Sequence, residues 1–200
     1  MRRSDARRGL LAAMVLVLAA LPARSFDLAE LMAELAQRRS GEARFTEQRF
    51  VSGLDQPLRA SGLLSFKAPD RLERRTELPR PESYVAEGNR VTLERGGRTR
   101  QVALDAVPEM AAMIAAMRGT LTGDAGALVQ YFKASVSGSA AQWSMTLVPL
   151  DSALAAVVLQ LRLDGRLSEL RQVEIQLADG DRSVMLIETV GGDAPRAKAP

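Results

Sequence analysis

Turn-forming pairs punctuate this chain at short intervals, and that rhythm restricts the fold more than any other feature. Ser52-Gly53, Pro69-Asp70, Gly88-Asn89, Gly96-Gly97, Asp164-Gly165 and Asp179-Gly180 each border a short segment in which apolar and polar residues alternate. A period of two puts one face of a strand against a core, and close turns join such strands as antiparallel neighbours. The first group runs from ARFTEQRFV, beginning at Ala43, to RTRQVAL, ending at Leu104. The second runs from QWSMTLVP, beginning at Gln142, to SVMLIETV, ending at Val190. The pattern predicts about five strands in the first group and about four in the second. A single sheet of about nine antiparallel strands twists and curls strongly.

Three stretches follow the helical period instead. Asp27 opens DLAELMAELAQRR, in which Leu28, Leu31, Met32 and Leu35 fall on one stripe before Ser40-Gly41 ends it. Between the strand groups, Val107–Arg118 places Met110, Met113, Ile114 and Met117 on one face, with Pro108 in the first turn. Asp124 starts a shorter helix, DAGALVQYF, that groups Leu128, Tyr131 and Phe132. The predicted class is α+β: a curled antiparallel sheet with three amphipathic helices covering its concave face. Between sheet and helices lies either a filled core or an apolar cavity.

The ends of the chain carry different information. Four arginines (Arg2, Arg3, Arg7 and Arg8) precede an apolar run from Leu10 to Leu21, and small residues stand at Ala23 and Ser25. The run is too short to span a bilayer and has the layout of a cleavable export signal over residues 1–25, cut after Ser25. No Cys follows it for lipid attachment, so the expected product is exported to the periplasm without an anchor. Residues 26–190 make one domain, and GGDAPRAKAP over 191–200 has no apolar period and is expected to be disordered.

The formal charge of +3 belongs to the signal. Setting aside the five Arg and one Asp of residues 1–25 leaves 22 basic and 23 acidic residues, which removes the main support for nucleic-acid binding. The chain has no Cys and no His. Common zinc and copper sites, thiol nucleophiles and Ser-His-Asp triads are therefore excluded, and no pair of carboxylates stands where a hydrolase would need one. Asp179 and Asp181 flank Gly180 without further carboxylates at calcium-loop spacing, so the segment is a turn. The composition weighs against an enzyme and leaves catalysis only carboxylates, Lys or Tyr to rest on.

Four stretches resemble the LolA-like periplasmic carriers of outer-membrane lipoproteins: FTEQRFVSGLDQPLRASGLLSFKAPDRL (45–72), MRGTLTGDAGALVQYF (117–132), WSMTLVPLD (143–151) and RLSELRQVEIQLADGDRSVMLIE (166–188). Their order matches the family's F-x-Q strand, Gly-opened strand, lysine–proline turn, mid-chain helices and late hairpins. The resemblance implies a LolA/LppX-like half-barrel whose helical lid encloses an apolar cavity for acyl chains, with no catalytic residues and no cofactor. It also implies a monomer that takes lipid from an inner-membrane transporter to an outer-membrane receptor. Two departures place the chain in a LolA-related branch. The family's Arg before the Pro of the lysine–proline turn, which ties sheet to lid, is Ala68 here, with Arg71 as the candidate latch in its place. Aromatic residues are only 4% of the chain, so Met and Leu must do much of the lining.

On this resemblance the candidates for the concave face are Phe45, Phe50, Leu63, Phe66, Leu72, Tyr84, Val91 and Leu93, with Met110, Met113, Ile114 and Met117 on the lid. Each has two readings, a surface that repacks around acyl chains or an ordinary core contact. Two functions follow: a lipid carrier, or a partner-binding module with a filled core. Charge is uneven as well. Lys67–Leu104 holds nine basic and six acidic residues, and Asp151–Thr189 holds four basic and seven acidic. That asymmetry either faces an anionic lipid or acidic partner, or belongs to solvated strand faces.

Overall fold

The computed structural model describes residues 26–190. The signal expected over 1–25 and the tail expected over 191–200 lie outside the described residues. The chain forms β1 (Ser40–Phe50), β2 (Leu58–Lys67), β3 (Arg71–Leu78), β4 (Glu82–Glu87), β5 (Arg90–Arg95) and β6 (Arg98–Ala103) before the central helices, then β7 (Phe132–Ser139), β8 (Gln142–Pro149), β9 (Val158–Arg166), β10 (Glu169–Leu177) and β11 (Arg182–Thr189). These make one antiparallel sheet in the order β6-β5-β4-β3-β2-β1-β11-β10-β9-β8-β7. The first and last strands of the sequence are central neighbours, and the sheet curls without closing, with β6 and β7 as free edges.

The helices are α1 (Leu28–Leu35), α2 (Pro108–Thr122), α3 (Ala125–Val129) and α4 (Ser152–Ala155), with a single 3₁₀ turn at Leu104–Ala106 before α2. Their ends carry the expected chemistry. Asp27 accepts a hydrogen bond from the Glu30 amide at 2.9 Å, and Asp124 does so from Ala127 at 3.1 Å. Pro108 occupies the first turn of α2, where its missing N–H removes nothing. Gly123 closes α2 at φ +70°, and a Cβ there would stand 2.3 Å from the Met32 carbonyl oxygen of α1. That approach holds the helices together and admits only glycine.

Three local expectations are corrected. Eleven strands form, not nine. Phe132 is the first residue of β7 rather than the last of a helix: it pairs with Pro149 of β8, a contact that FKASVSGS, with only Ala134 and Val136 as further apolar inward positions, signals weakly. Asp164-Gly165 is not a turn: β9 runs through it, and the turn falls at Leu167, with φ +51°. Gly165 is there because the Trp143 ring lies over it; a Cβ would sit 2.1 Å from the indole. The Trp143 Nε1–H donates to the Leu167 carbonyl at 2.8 Å, so the buried indole also pins that turn.

The core is unequally distributed. Inward residues of β7 to β11, among them Trp143, Met145, Leu147, Leu161, Leu163 and Val173, pack with Leu31, Met32 and Leu35 of α1, Leu128 of α3, Leu154 of α4 and Ala112 and Ala116 of α2. On the other half, a small cluster of Ala86, Val91 and Leu104 meets Leu72, Met110, Ala111 and Ile114. Among the helices, α2 touches both clusters.

Candidate functional site: the inner sheet face beneath α2

Strand pairing divides the inner face of the N-terminal half into cross-strand rows. The lowest is Gly41–Phe66–Leu72–Ala86–Val91–Val102, entirely apolar. The next, two residues along each strand, is Ala43–Leu64–Arg74–Tyr84–Leu93–Arg100. Above it Glu82, Arg95 and Arg98 stand side by side. Successive rows are about 7 Å apart, two residues of strand rise. Helix α2 covers the lowest row through Met110 and Ile114 and leaves the second partly open, with Tyr84 37% exposed. A gradient from covered and apolar to open and charged thus runs along the strands.

Most of the candidates fall on this face. Phe66, Leu72 and Val91 lie in the lowest row, Tyr84 and Leu93 in the second. Phe45 also faces inward but is buried beneath a charge, with the Arg74 guanidinium 4.5 Å from its ring centroid. Phe50 and Leu63 are corrected. Phe50 is five residues from Phe45 on an unbroken strand, hence on the opposite face, where Arg182 stacks 4.7 Å from its ring. Leu63 pairs with Arg44 on the outer face, and its neighbour Leu64 takes the inward position. On α2, Met110, Met113, Ile114 and Met117 are only half-buried, whereas Ala112, Ala116, Gly119 and Thr120 are the most buried positions. The deeply packed face of the helix is its small-residue face, and the large side chains stand at the boundary between the two clusters.

The pocket that opens beneath this surface is small. A mainly apolar cavity of about 80 Å³ lies where Phe66, Leu64 and Leu121 meet Leu170 and Ile187. Drug-sized ligand sites are about 300–1,000 Å³. A larger cleft of about 460 Å³ runs along the other side of α2, between Ala111, Ala115 and Arg118 and the sheet turns at Pro69, Gly88 and Asn89.

Arg118 crosses that cleft. Its Nη1–H donates to the Gly88 carbonyl at 2.9 Å, the one side-chain hydrogen bond from α2 to the sheet among the described residues. The Gly88 amide in turn donates to Asp70 at 2.9 Å, so the turn after β2, the β4–β5 turn and α2 are linked. Arg118 Nε and Nη2 are buried without partners, and this burial lowers the guanidinium pKa, with the Asp70 carboxylate opposing. The sequence did offer a signal: apart from Glu109 at the helix start, Arg118 is the only charge in α2.

Arg71 is corrected as the lid latch. Alternation on β3 turns it outward while Leu72 points in, and its guanidinium pairs with Glu73 at 3.2 Å and Glu87 at 3.1 Å, all within the sheet. A second inward feature also went unread. Arg74 pairs with Glu47 at 2.6 Å, and the Ser183 hydroxyl donates to the same carboxylate at 2.5 Å, tying β3, β1 and β11. Glu47 shares parity with Phe45, which is the signal that could have found it. Asp181 is occupied by the Ser52 amide at 3.0 Å and Arg49 at 3.3 Å, as a turn-locking carboxylate.

A family model described as outer membrane lipoprotein carrier protein LolA-like matches residues 19–200, and the chain belongs to that family. No curated protein matches the sequence. Among solved structures, a LolA superfamily protein from Nitrosomonas europaea is similar at 9% identity over 84% of this chain and 93% of its own, with a TM-score of 0.43. A DUF1329 family protein from Desulfovibrio piger is similar at 10% identity over 84% and 92%, with a TM-score of 0.47. A putative outer membrane lipoprotein-sorting protein domain from Vibrio parahaemolyticus is similar at 8% identity over 84% and 93%, with a TM-score of 0.44.

Proposed function

We propose that this member of the LolA-like family is a periplasmic carrier, holding the acyl chains of a lipoprotein or another exported lipid between α2 and the inner face of β2 to β6. Residues 1–25 would export it, an inner-membrane transporter would load it, and an outer-membrane receptor would unload it. The observation that supports this most is the state of the α2 stripe. Met110, Met113, Ile114 and Met117 are half-buried at the seam between two clusters, above an apolar sheet row in which Phe66, Leu72 and Val102 are themselves half-buried. Flexible, polarizable Met side chains can repack around a chain that slides into that seam.

The mechanism is reversible burial. Each acyl CH₂ gains about 0.8 kcal/mol on leaving water, so a sixteen-carbon chain brings about 12 kcal/mol before the cost of immobilising it. The half-open pocket of about 80 Å³ beside α2 is much smaller than such a chain, so most of the chain enters by moving α2 away from the sheet, and the work of opening offsets part of the gain. Arg118 is placed to set that work. Opening breaks its bond to Gly88 but hydrates its two unpartnered nitrogens, Nε and Nη2, which makes the closed state less favourable than a fully satisfied latch would be.

Protein purified from the periplasm of a Gram-negative host should carry lipid, detectable by native mass spectrometry and identified after extraction. Protein that is folded, lipid-free and unable to take up a fluorescent fatty acid would overturn the carrier reading and favour the alternative, a partner-binding module with a filled core.

A further inference from the structure

We infer that the inner-face guanidinium group at the β5–β6 edge, Arg98 and Arg100 with Arg95 beside them, binds the anionic headgroup of an amphiphile whose chain lies under α2. This rests on the carrier reading and adds the class of cargo, a lipid bearing phosphate, sulfate or carboxylate.

Compensation of charge is the first support. Five arginines face inward on β1 and β3 to β6. Arg49 is paired with Asp181 at 3.3 Å, Arg74 with Glu47 at 2.6 Å and Arg95 with Glu82 at 3.8 Å. Arg98 and Arg100 have no carboxylate partner among the described residues, and both are exposed. The inner face of this half therefore carries uncompensated positive charge at one place, its open edge.

The second support is a local conflict with stability. Arg95 and Arg98 are directly opposed across the Gly96-Gly97 turn, and like charges in that register destabilise a hairpin. A strand needing charge only to protect a free edge could carry it on the outer face. The outer positions of β6 are instead Thr99, Gln101 and Ala103. An anion bridging the guanidiniums turns that repulsion into charge-assisted hydrogen bonding.

Position supplies the third. Arg100 stands opposite Leu93 in the second row, and Leu93 opposite Tyr84. One row below are Ala86, Val91 and Val102, and Ala86 and Val91 belong to the cluster that Met110 and Ile114 pack against. A chain beneath α2 that follows the strands would emerge over Tyr84 and Leu93 and bring its headgroup about one to two rows, roughly 7–14 Å, from the covered patch. Arg100 and Arg98 occupy those rows.

The test compares dodecyl phosphate with the neutral dodecyl maltoside, below their micellar concentrations, by competition with a fluorescent fatty-alcohol probe. The wild type should bind dodecyl phosphate about tenfold or more tightly than the neutral compound, with the preference shrinking between low and high salt. The double variant Arg98→Gln/Arg100→Gln, checked for fold by circular dichroism, should lose the preference and keep neutral binding, while Arg90→Gln on the outer face should change nothing. Inorganic phosphate at millimolar concentration should not displace dodecyl phosphate. Displacement would mean a free-anion site and would overturn the amphiphile assignment. Equal binding of both amphiphiles by the wild type, or a preference surviving in the double variant, would overturn the headgroup site and leave the carrier reading standing. Binding of neither by folded wild type would overturn both. Loss of anionic-vesicle binding by the double variant with the amphiphile preference intact would reassign the arginines to membrane docking.

Discussion

The two halves of this sheet share one architecture and opposite fillings. From β7 to β11 the inward rows are mostly apolar, with Phe132, Trp143, Met145, Leu147, Leu161, Leu163 and Val173 among them, and α1, α3, α4 and the small-residue face of α2 press on them until little surface is left. From β2 to β6 the same alternation delivers one apolar row under α2, then Arg74, Tyr84, Leu93 and Arg100, then Glu82, Arg95 and Arg98. Period-two patterning alone cannot distinguish these outcomes, because both halves present an inner face. What separates them is how many helices cover that face. On the proposed function the filled half holds the fold and the less covered half takes the cargo, so stability and binding should divide along that line.

The largest expected effect is on the filled half. Trp143→Ala removes a fully buried indole, uncovers Gly165 and orphans the Leu167 carbonyl; it should cost about 3–5 kcal/mol in denaturant unfolding. Leu93→Ala, on the open half, should cost about 1 kcal/mol or less and weaken probe binding instead. Comparable losses from both would erase the division.

Met113→Asp on α2 comes next. A carboxylate in the seam should abolish fatty-acid uptake while circular dichroism stays native, since Met113 is half-buried rather than deep in the core. Unfolding of this variant, or undiminished uptake, would place the stripe in the ordinary core.

Arg118→Leu should have a smaller effect. It removes the tether to Gly88 together with two unpartnered buried nitrogens, so stability should change by less than about 1 kcal/mol. Probe dissociation should nevertheless accelerate several-fold as the lid is freed. Arg71→Ala should change dissociation least of all, because its partners Glu73 and Glu87 lie within the sheet and exposed pairs of this kind contribute about 0–1 kcal/mol. A strong effect of Arg71→Ala on dissociation would return the latch to the sheet side.

The same contrast explains what could be read from residues alone. The antiparallel class, the helical break and the three main helices were legible because capping residues and turn pairs act locally: Asp27, Pro108 and Asp124 each start their helix through contacts within a turn. β7 was not legible, since its strand character comes from pairing with β8 rather than from FKASVSGS itself. Gly165 looked like a turn because the ring that covers it belongs to another strand. At the site, parity decided the outcome. Phe45, Phe66, Leu72, Tyr84, Val91 and Leu93 fall on one face, while Phe50 and Leu63 sit an odd number of residues away and face out. The lid tether was missed for a different reason. The resemblance puts the tether at Ala68, in the turn after β2, whereas the only side-chain bond between α2 and the sheet among the described residues comes from the helix.

Photo-crosslinking a diazirine-bearing fatty acid to the intact protein, followed by mass mapping of labelled peptides, tests the division most directly. The account predicts label on α2 around Met110–Met117 and on the strands around Tyr84–Leu93. Label concentrated on Trp143–Leu147 and Leu161–Val173, or no light-dependent label on folded protein, would contradict it.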